Sequence, residues 1–290
     1  MSTAFVLSGG GSLGSVQVGM LLALAERGIT PDLVVGTSVG AINAAWLAGR
    51  PDLDGARALA QVWSSVRRDD VFPARPLAGL LGFLGRRDHL VPAGSLRALL
   101  HRHLTYARLE DAAVPVHVVA TEVTTGLEVV LSRGDAIEAV CASAALPGVF
   151  PPVRIDGREL IDGGVVNNTP ISHAIASGVD TIYVLPTGYA CALPRAPGSA
   201  LGMVLQAVTL LVQQRLIADV ERYQGSVDLR VAPALCPLSV SPVDFSHGAE
   251  LIRRSTQATA QWLDSGNLPA DQARGLRLHG HAAAANAMLS

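Results

Sequence analysis

The apolar positions of this chain fall into short continuous runs separated by glycine-rich turns. Ala4–Leu7 is wholly apolar and leads through Gly9-Gly10-Gly11-Ser12-Leu13-Gly14 into a stretch with Val16, Met20 and Leu24 on one helical face, closed by Gly28. Leu33–Val35 repeats the arrangement, turning at Gly36-Thr37-Ser38-Val39-Gly40 into the small-residue stretch Ala41–Leu47. Continuous apolar strands alternating with helix-period segments predict βα units on a mostly parallel sheet covered on both faces.

Val116–Val119 and Leu127–Leu131 read as strands around Thr124-Thr125-Gly126, and Val153–Ile155 and Glu159–Ile161 flank the hairpin signal Asp156-Gly157. Asp135 with Glu138 resembles a capping pair that opens a helix. Pro170 suits the N-terminus of a helix over Ile171–Ser177, Thr181–Leu185 reads as a strand, and Leu201–Tyr223 as a long apolar helix. The apolar stretch Ala200–Val212, interrupted by Gln206, is too short to span a bilayer. Arg67–Gly94 differs, with Pro73, Pro76 and Pro92, two charge clusters and the apolar segment Leu77–Leu84. Such a stretch is either a cap over a site or a surface insertion. The expected organisation is one domain over residues 1–265, with 67–94 as the candidate cap, and a weakly patterned tail over 266–290.

Of 290 residues, 49 % are hydrophobic and 16 % charged, which suits a large buried core. The 22 basic and 24 acidic residues nearly cancel, so there is no electrostatic footprint for nucleic acid. Every basic residue is Arg, which excludes a lysine nucleophile, a Schiff base and a P-loop lysine. Cys141, Cys191 and Cys236 are widely spaced and read as buried, reduced thiols. His101-x-His103 and His279-x-His281 lack a matching carboxylate or cysteine set, so neither a metal nor a cofactor is expected. With no basic-flanked leader, the expected location is cytoplasmic, with peripheral contact to a membrane surface as an option.

Two turns carry candidate chemistry. Gly36–Gly40 has the G-x-S-x-G form in which a sharp strand-to-helix turn exposes a serine hydroxyl. Gly10-Gly11-Ser12-Leu13-Gly14 fits the same pattern, so the motif alone does not choose between Ser12 and Ser38. Three consecutive glycines remove every Cβ from a stretch of backbone, which suits close approach of N–H groups to an oxyanion. That assigns Gly9, Gly10 and Gly11 to oxyanion binding and Ser38 to attack. The competing reading is a dinucleotide fingerprint, Gly9-x-Gly11-x-x-Gly14, which needs an acid after the second strand. Asp32 lies at the right distance but before that strand. An activated serine also needs a base. Asp162, before Gly163-Gly164 at a strand end, is the candidate; from spacing alone it reads first as a turn aspartate bonding its own backbone. Ser38, Asp162 and either His173 or His247 also occur in the Ser…Asp…His order of a triad.

Taken together, Gly9–Gly14, Gly36–Gly40 followed by Ala41-Ile42-Asn43-Ala44-Ala45, Ala142–Pro152, and Asp162-Gly163-Gly164 with Val165–Pro170 resemble the patatin-like phospholipase family. The similarity covers roughly Ala4 to Ile252. It implies a three-layer α/β/α fold with a mostly parallel central sheet, and a Ser-Asp dyad that hydrolyses lipid acyl esters. Ser38 would be nucleophile, Asp162 base, and the Gly9–Gly11 backbone the oxyanion hole. Leu13 stands where that family often has a basic residue. A nucleotide-binding protein and a catalytically idle lipid- or partner-binding scaffold remain the alternative functions.

Overall fold

The computed structural model describes residues 1–72, 91–92, 94–188, 196–236, 238, 240–266 and 272–277. Leu77–Leu84 and Cys191 therefore lie outside the described residues. The strands are β1 (Thr3–Leu7), β2 (Leu33–Thr37), β3 (Val116–Glu122), β4 (Glu128–Leu131), β5 (Val153–Ile155), β6 (Arg158–Asp162), β7 (Thr181–Leu185) and β8 (Asp228–Val231). The helices are α1 (Gly14–Ala25), α2 (Val39–Gly49), α3 (Leu53–Ser65), α4 (Arg68–Val71), α5 (Gly94–His103), α6 (Ala136–Ser143), α7 (Ile171–Ala176), α8 (Ala200–Tyr223), α9 (Gly248–Ser265) and α10 (Gln272–Leu276).

One mixed sheet organises them, in the order β5-β6-β3-β2-β1-β7-β8, with β4 also paired to β3. The β3-β2-β1-β7-β8 portion is parallel, and β4, β5 and β6 add antiparallel pairings at one side. Along β1, Phe5 and Leu7 enter one core layer, with α1, α2, α3 and α9, while Ala4 and Val6 enter the other, with α7, α8 and α10. Because both faces are covered, every position of β1 and β2 after Thr3 is buried, which is why these strands read as unbroken apolar runs.

The two edges of β3 are used unequally, and the site depends on it. Residues 118–121 pair with β4 along one edge. On the other edge β2 pairs with residues 116–119 only, and β6 takes over at 120–122. Thr37 at the end of β2 pairs with Val119, and Asp162 at the end of β6 pairs with Ala120. The shared edge thus brings Asp162 beside the turn that follows β2. The hairpin joining β5 to β6 has Asp156 at φ 49° and Gly157 at φ 80°, the doubly positive geometry that an Asp-Gly pair provides.

Several local expectations need correction. Asp135 caps α6 by accepting from the N–H groups of Ile137 and Glu138, but Glu138 does not complete a reciprocal box; it forms an ion pair with Arg97 at 2.7 Å. Cys141 is buried, its thiol pushed up to about 12 by desolvation, whereas Cys236 is exposed. Helix α8, read from its sequence as long and apolar, buries Gln213, Leu216, Ile217 and Val220 in its C-terminal half, while Met203, Val204, Val208 and Leu211 in its N-terminal half are exposed. Gly202–Tyr223 is long and apolar enough to cross a membrane by length and composition, with mean hydropathy 1.3. Finally, α10 lies in the segment read as a weakly patterned tail. It buries Ala273 and Leu276 in the core, and the Gln272 side chain bonds the backbone of Val231 and Leu229.

Candidate active site

The C-terminal ends of β1, β2 and β6 converge at one mouth, where open α/β sheets gather their ligand-binding groups. Ser38 sits between β2 and α2 at φ 56°, ψ −126°, a left-handed conformation that is costly for a residue with a side chain. The glycines on either side make the turn possible. A Cβ at Gly36 would lie 2.4 Å from the Gly40 carbonyl oxygen, and one at Gly40 would lie 2.3 Å from that of Leu7. The turn is too tight for either, so the strain at Ser38 is held by the surrounding packing.

Ser38 Oγ donates to Asp162 Oδ2 at 2.6 Å. The other carboxylate oxygen, Oδ1, accepts from the Gly164 N–H at 2.7 Å, so Asp162 is a turn aspartate as well as the partner of Ser38. Asp162 is only 4 % exposed. Burial pushes its pKa up to about 6, against the opposing effects of the two hydrogen bonds. The segment Ala142–Pro152 braces both residues. Ser143 Oγ accepts the Ser38 N–H at 2.9 Å and donates to the Val119 carbonyl at 2.5 Å. The Ala145 carbonyl accepts the Asp162 N–H at 2.9 Å. The bracing by Ser143 had no signal in residue spacing, because it depends on how α6 docks against β3.

The glycine loop is fixed by a buried polar network. Gln17 Nε2 donates to the carbonyls of Ser8 and Leu185, Asn43 Nδ2 donates to Gln17 Oε1 and the Gly14 carbonyl, and Trp63 Nε1 donates to Asn43 Oδ1. The Gly9 N–H, expected to face the site, donates to the Asn168 carbonyl at 3.0 Å instead. Gly9 matters by its lack of bulk, since a Cβ there would lie 2.3 Å from Asn168 Oδ1 and 3.1 Å from Ser38 Cβ. Among the described residues, no partner takes the N–H groups of Gly10 and Gly11. The N–H of Val39, the first residue of α2, has no acceptor within its helix either.

The competing candidates are occupied elsewhere. Ser12 is buried in a short 3-10 turn, where its Oγ donates to the Ser241 carbonyl at 3.0 Å. Asp32 accepts the Thr3 N–H at the opposite end of the sheet, so it is not the ribose-binding acid a dinucleotide site requires. His173 pairs with Glu128 at 2.7 Å, and His247 lies 3.5 Å from both Asp244 and Glu250. Neither histidine hydrogen-bonds Ser38 or Asp162. Among the described residues no group of three His, Cys, Asp or Glu could hold a metal.

Ser38 and Asp162 open into an apolar cleft of about 590 Å³. Ser38, Ile42 and Trp46 line it from one face of α2, which carries the groove roughly 12 Å from the serine at 1.5 Å per residue. Phe72, Phe150, Trp63 and Phe245 form an aromatic wall, with Phe72 stacked on Phe150 at 5.4 Å and Trp63 on Phe245 at 6.2 Å. Leu13 also lines the cleft, so an apolar side chain stands beside the glycine loop.

The Patatin-like phospholipase family model matches residues 5–175, the stretch that contains the glycine loop, both members of the Ser38–Asp162 pair and the Ser143 brace. Human patatin-like phospholipase domain-containing protein 6 is 30 % identical over 187 residues, covering 64 % of this chain and 13 % of the relative. Lysophospholipase NTE1 of Mycosarcoma maydis is 30 % identical over 197 residues, covering 65 % of this chain and 10 % of the relative. The chain thus spans about a tenth of the length of these curated relatives. VipD from Legionella pneumophila aligns in structure with a TM-score of 0.49 at 17 % identity, over 91 % of this chain and 67 % of that one. By the family match over more than half its length, this chain belongs to the patatin-like phospholipase family.

Proposed function

We propose that this chain hydrolyses carboxylic esters of lipids, with Ser38 as nucleophile and Asp162 as the single base. The observation that carries the reading is the 2.6 Å hydrogen bond from Ser38 Oγ to a desolvated carboxylate at the mouth of an apolar cleft. An exposed aspartate is a weak base for a hydroxyl; burial raises its proton affinity toward the working pH. Asp162 takes the hydroxyl proton as Ser38 Oγ attacks the ester carbonyl carbon. The resulting oxyanion accepts from the N–H groups of Gly10, Gly11 and Val39. As the intermediate collapses, protonated Asp162 gives its proton to the departing alcohol, leaving an acyl-serine. Water then attacks that ester, with Asp162 again as base, and releases the fatty acid.

The oxyanion donors carry much of this scheme, because one such donor typically lowers the barrier by about 2.7–4 kcal/mol. The groove along α2 would hold the acyl chain, at about 0.8 kcal/mol per buried methylene. The names of the fungal relatives place lysophospholipids among the first substrates to try. The test is release of fatty acid from lysophosphatidylcholine and phosphatidylcholine by the wild type and by Ser38→Ala. Release by the wild type alone supports the reading; equal background release by both would leave a catalytically idle lipid-binding scaffold.

A further inference from the structure

Helix α8 departs from the usual pattern of a surface helix. A helix that is apolar all round belongs in a core or a membrane. Yet the N-terminal half of α8 leaves Met203, Val204, Val208 and Leu211 between 51 and 71 % exposed. Val204, Val208 and Leu211 are spaced i, i+4, i+7 and form one stripe. On the opposite face, Gln213, Leu216, Ile217 and Val220 are buried. No charged side chain occurs between positions 196 and 214. Leu146, Val165 and Val243, from three other parts of the chain, are 47–58 % exposed and, with Val208, also line the cleft. They are its rim.

We propose that the α8 stripe and this rim form one docking face for an uncharged or zwitterionic lipid surface, which deepens the hydrolase reading and rests on it. Isolated exposed apolar residues are ordinary, but a contiguous patch marks an interaction site. Its continuity with the cleft selects the occupant. A second protein seated on Val165, Val208 and Val243 would close the mouth, whereas a lipid surface supplies acyl chains to it without passage through water. The missing charge fits a neutral surface better than an anionic one. Helix α8 would lie in the interface rather than span it, because Leu216, Ile217 and Val220 are part of the protein core and Arg215 is paired with Asp219 at 2.8 Å.

The experiment is sedimentation with phosphatidylcholine vesicles, comparing the wild type with the double variant Val204→Glu/Leu211→Glu; neither residue lines the cleft. Vesicle affinity should fall at least about tenfold, and hydrolysis of a soluble short-chain ester should stay within about twofold. Wild-type binding should change little between about 0.1 and 1 M NaCl, although the Debye length shrinks from about 10 to 3 Å. An uncharged reporter, Leu211→Trp, should show blue-shifted emission on vesicle addition beyond any change in the wild type. Unchanged affinity in the double variant, an unshifted reporter or steep salt dependence would overturn the proposal. So would a wild-type dimer that the double variant converts to monomers. Failure of the hydrolase reading would be seen separately, as absent hydrolysis of the soluble ester with vesicle binding intact.

Discussion

Ser38 Oγ and Asp162 Oδ2 lie 2.6 Å apart although 124 positions separate the two residues. The register of β3 brings them together: β2 leaves its edge at Val119 and β6 takes that edge up at Ala120. Ser38 sits immediately beyond one strand, at the N-cap of α2, and Asp162 ends the other.

Asp162→Asn should nearly abolish ester hydrolysis while raising stability at neutral pH. The amide fills the same space and can still accept from the Gly164 N–H, but it cannot take the serine proton. Loss of a general base costs about 10²–10⁴ in rate. Below about 3.8, folded and unfolded forms are both protonated and the carboxyl has no effect. Between 3.8 and about 6 the unfolded chain ionises first, so stability falls as pH rises. Above about 6 the full cost of the buried charge, about 3 kcal/mol, is present. Denaturant melts of both proteins should therefore coincide at about pH 3 and separate in favour of the variant by about pH 7.5. A variant less stable at pH 7.5 would contradict the account of burial.

The pH profile of wild-type kcat/KM should rise through about 6 and level off above it, because only ionised Asp162 accepts the proton. A soluble ester keeps vesicle effects out of the measurement. A rising limb centred near 4 instead would mean that the carboxylate is solvated in the free enzyme.

Alanine at His173 or His247 should leave turnover within about tenfold, equivalent to 1.36 kcal/mol of barrier. Both rings are engaged with carboxylates outside the site. A loss of several orders of magnitude in a folded variant would require a triad.

Ser143→Ala removes the acceptor of the Ser38 N–H and the donor to the Val119 carbonyl. A buried group left unsatisfied costs about 1–3 kcal/mol, so the thermal midpoint should drop by several degrees. As a positioning residue, Ser143 should affect kcat more than KM. A purely structural role would lower the midpoint and leave kcat unchanged.

Catalytic efficiency toward p-nitrophenyl esters should increase from acetate to medium chain lengths, as methylenes are added along Ile42 and Trp46. Steady decline from acetate onward would rule out the acyl groove.

Much of this site was legible because its parts are local. The tight turn at Gly36–Gly40 is written in adjacent residues, as is the Asp-Gly hairpin that leads to Asp162. What separates Ser38 from Ser12, two matches to one pattern, is environment: the first has a strained backbone and a carboxylate, the second a buried bond to Ser241. The bracing by Ser143 and the diversion of the Gly9 N–H to Asn168 are long-range pairings that no residue spacing encodes. The length of α8 was legible from its apolar run, but an apolar sequence does not say which face the core will leave exposed. The proline and charge content of Arg67–Gly94 leaves a cap and a surface insertion both open, and its apolar segment Leu77–Leu84 lies outside the described residues.

If Ser38 is the nucleophile, a fluorophosphonate should modify it covalently. Peptide mapping by mass spectrometry should place the covalent label on Ser38, with labelling lost in Ser38→Ala, slowed in Asp162→Asn and retained in Ser12→Ala. A label on Ser12, or on no serine of a folded and soluble protein, would contradict the account.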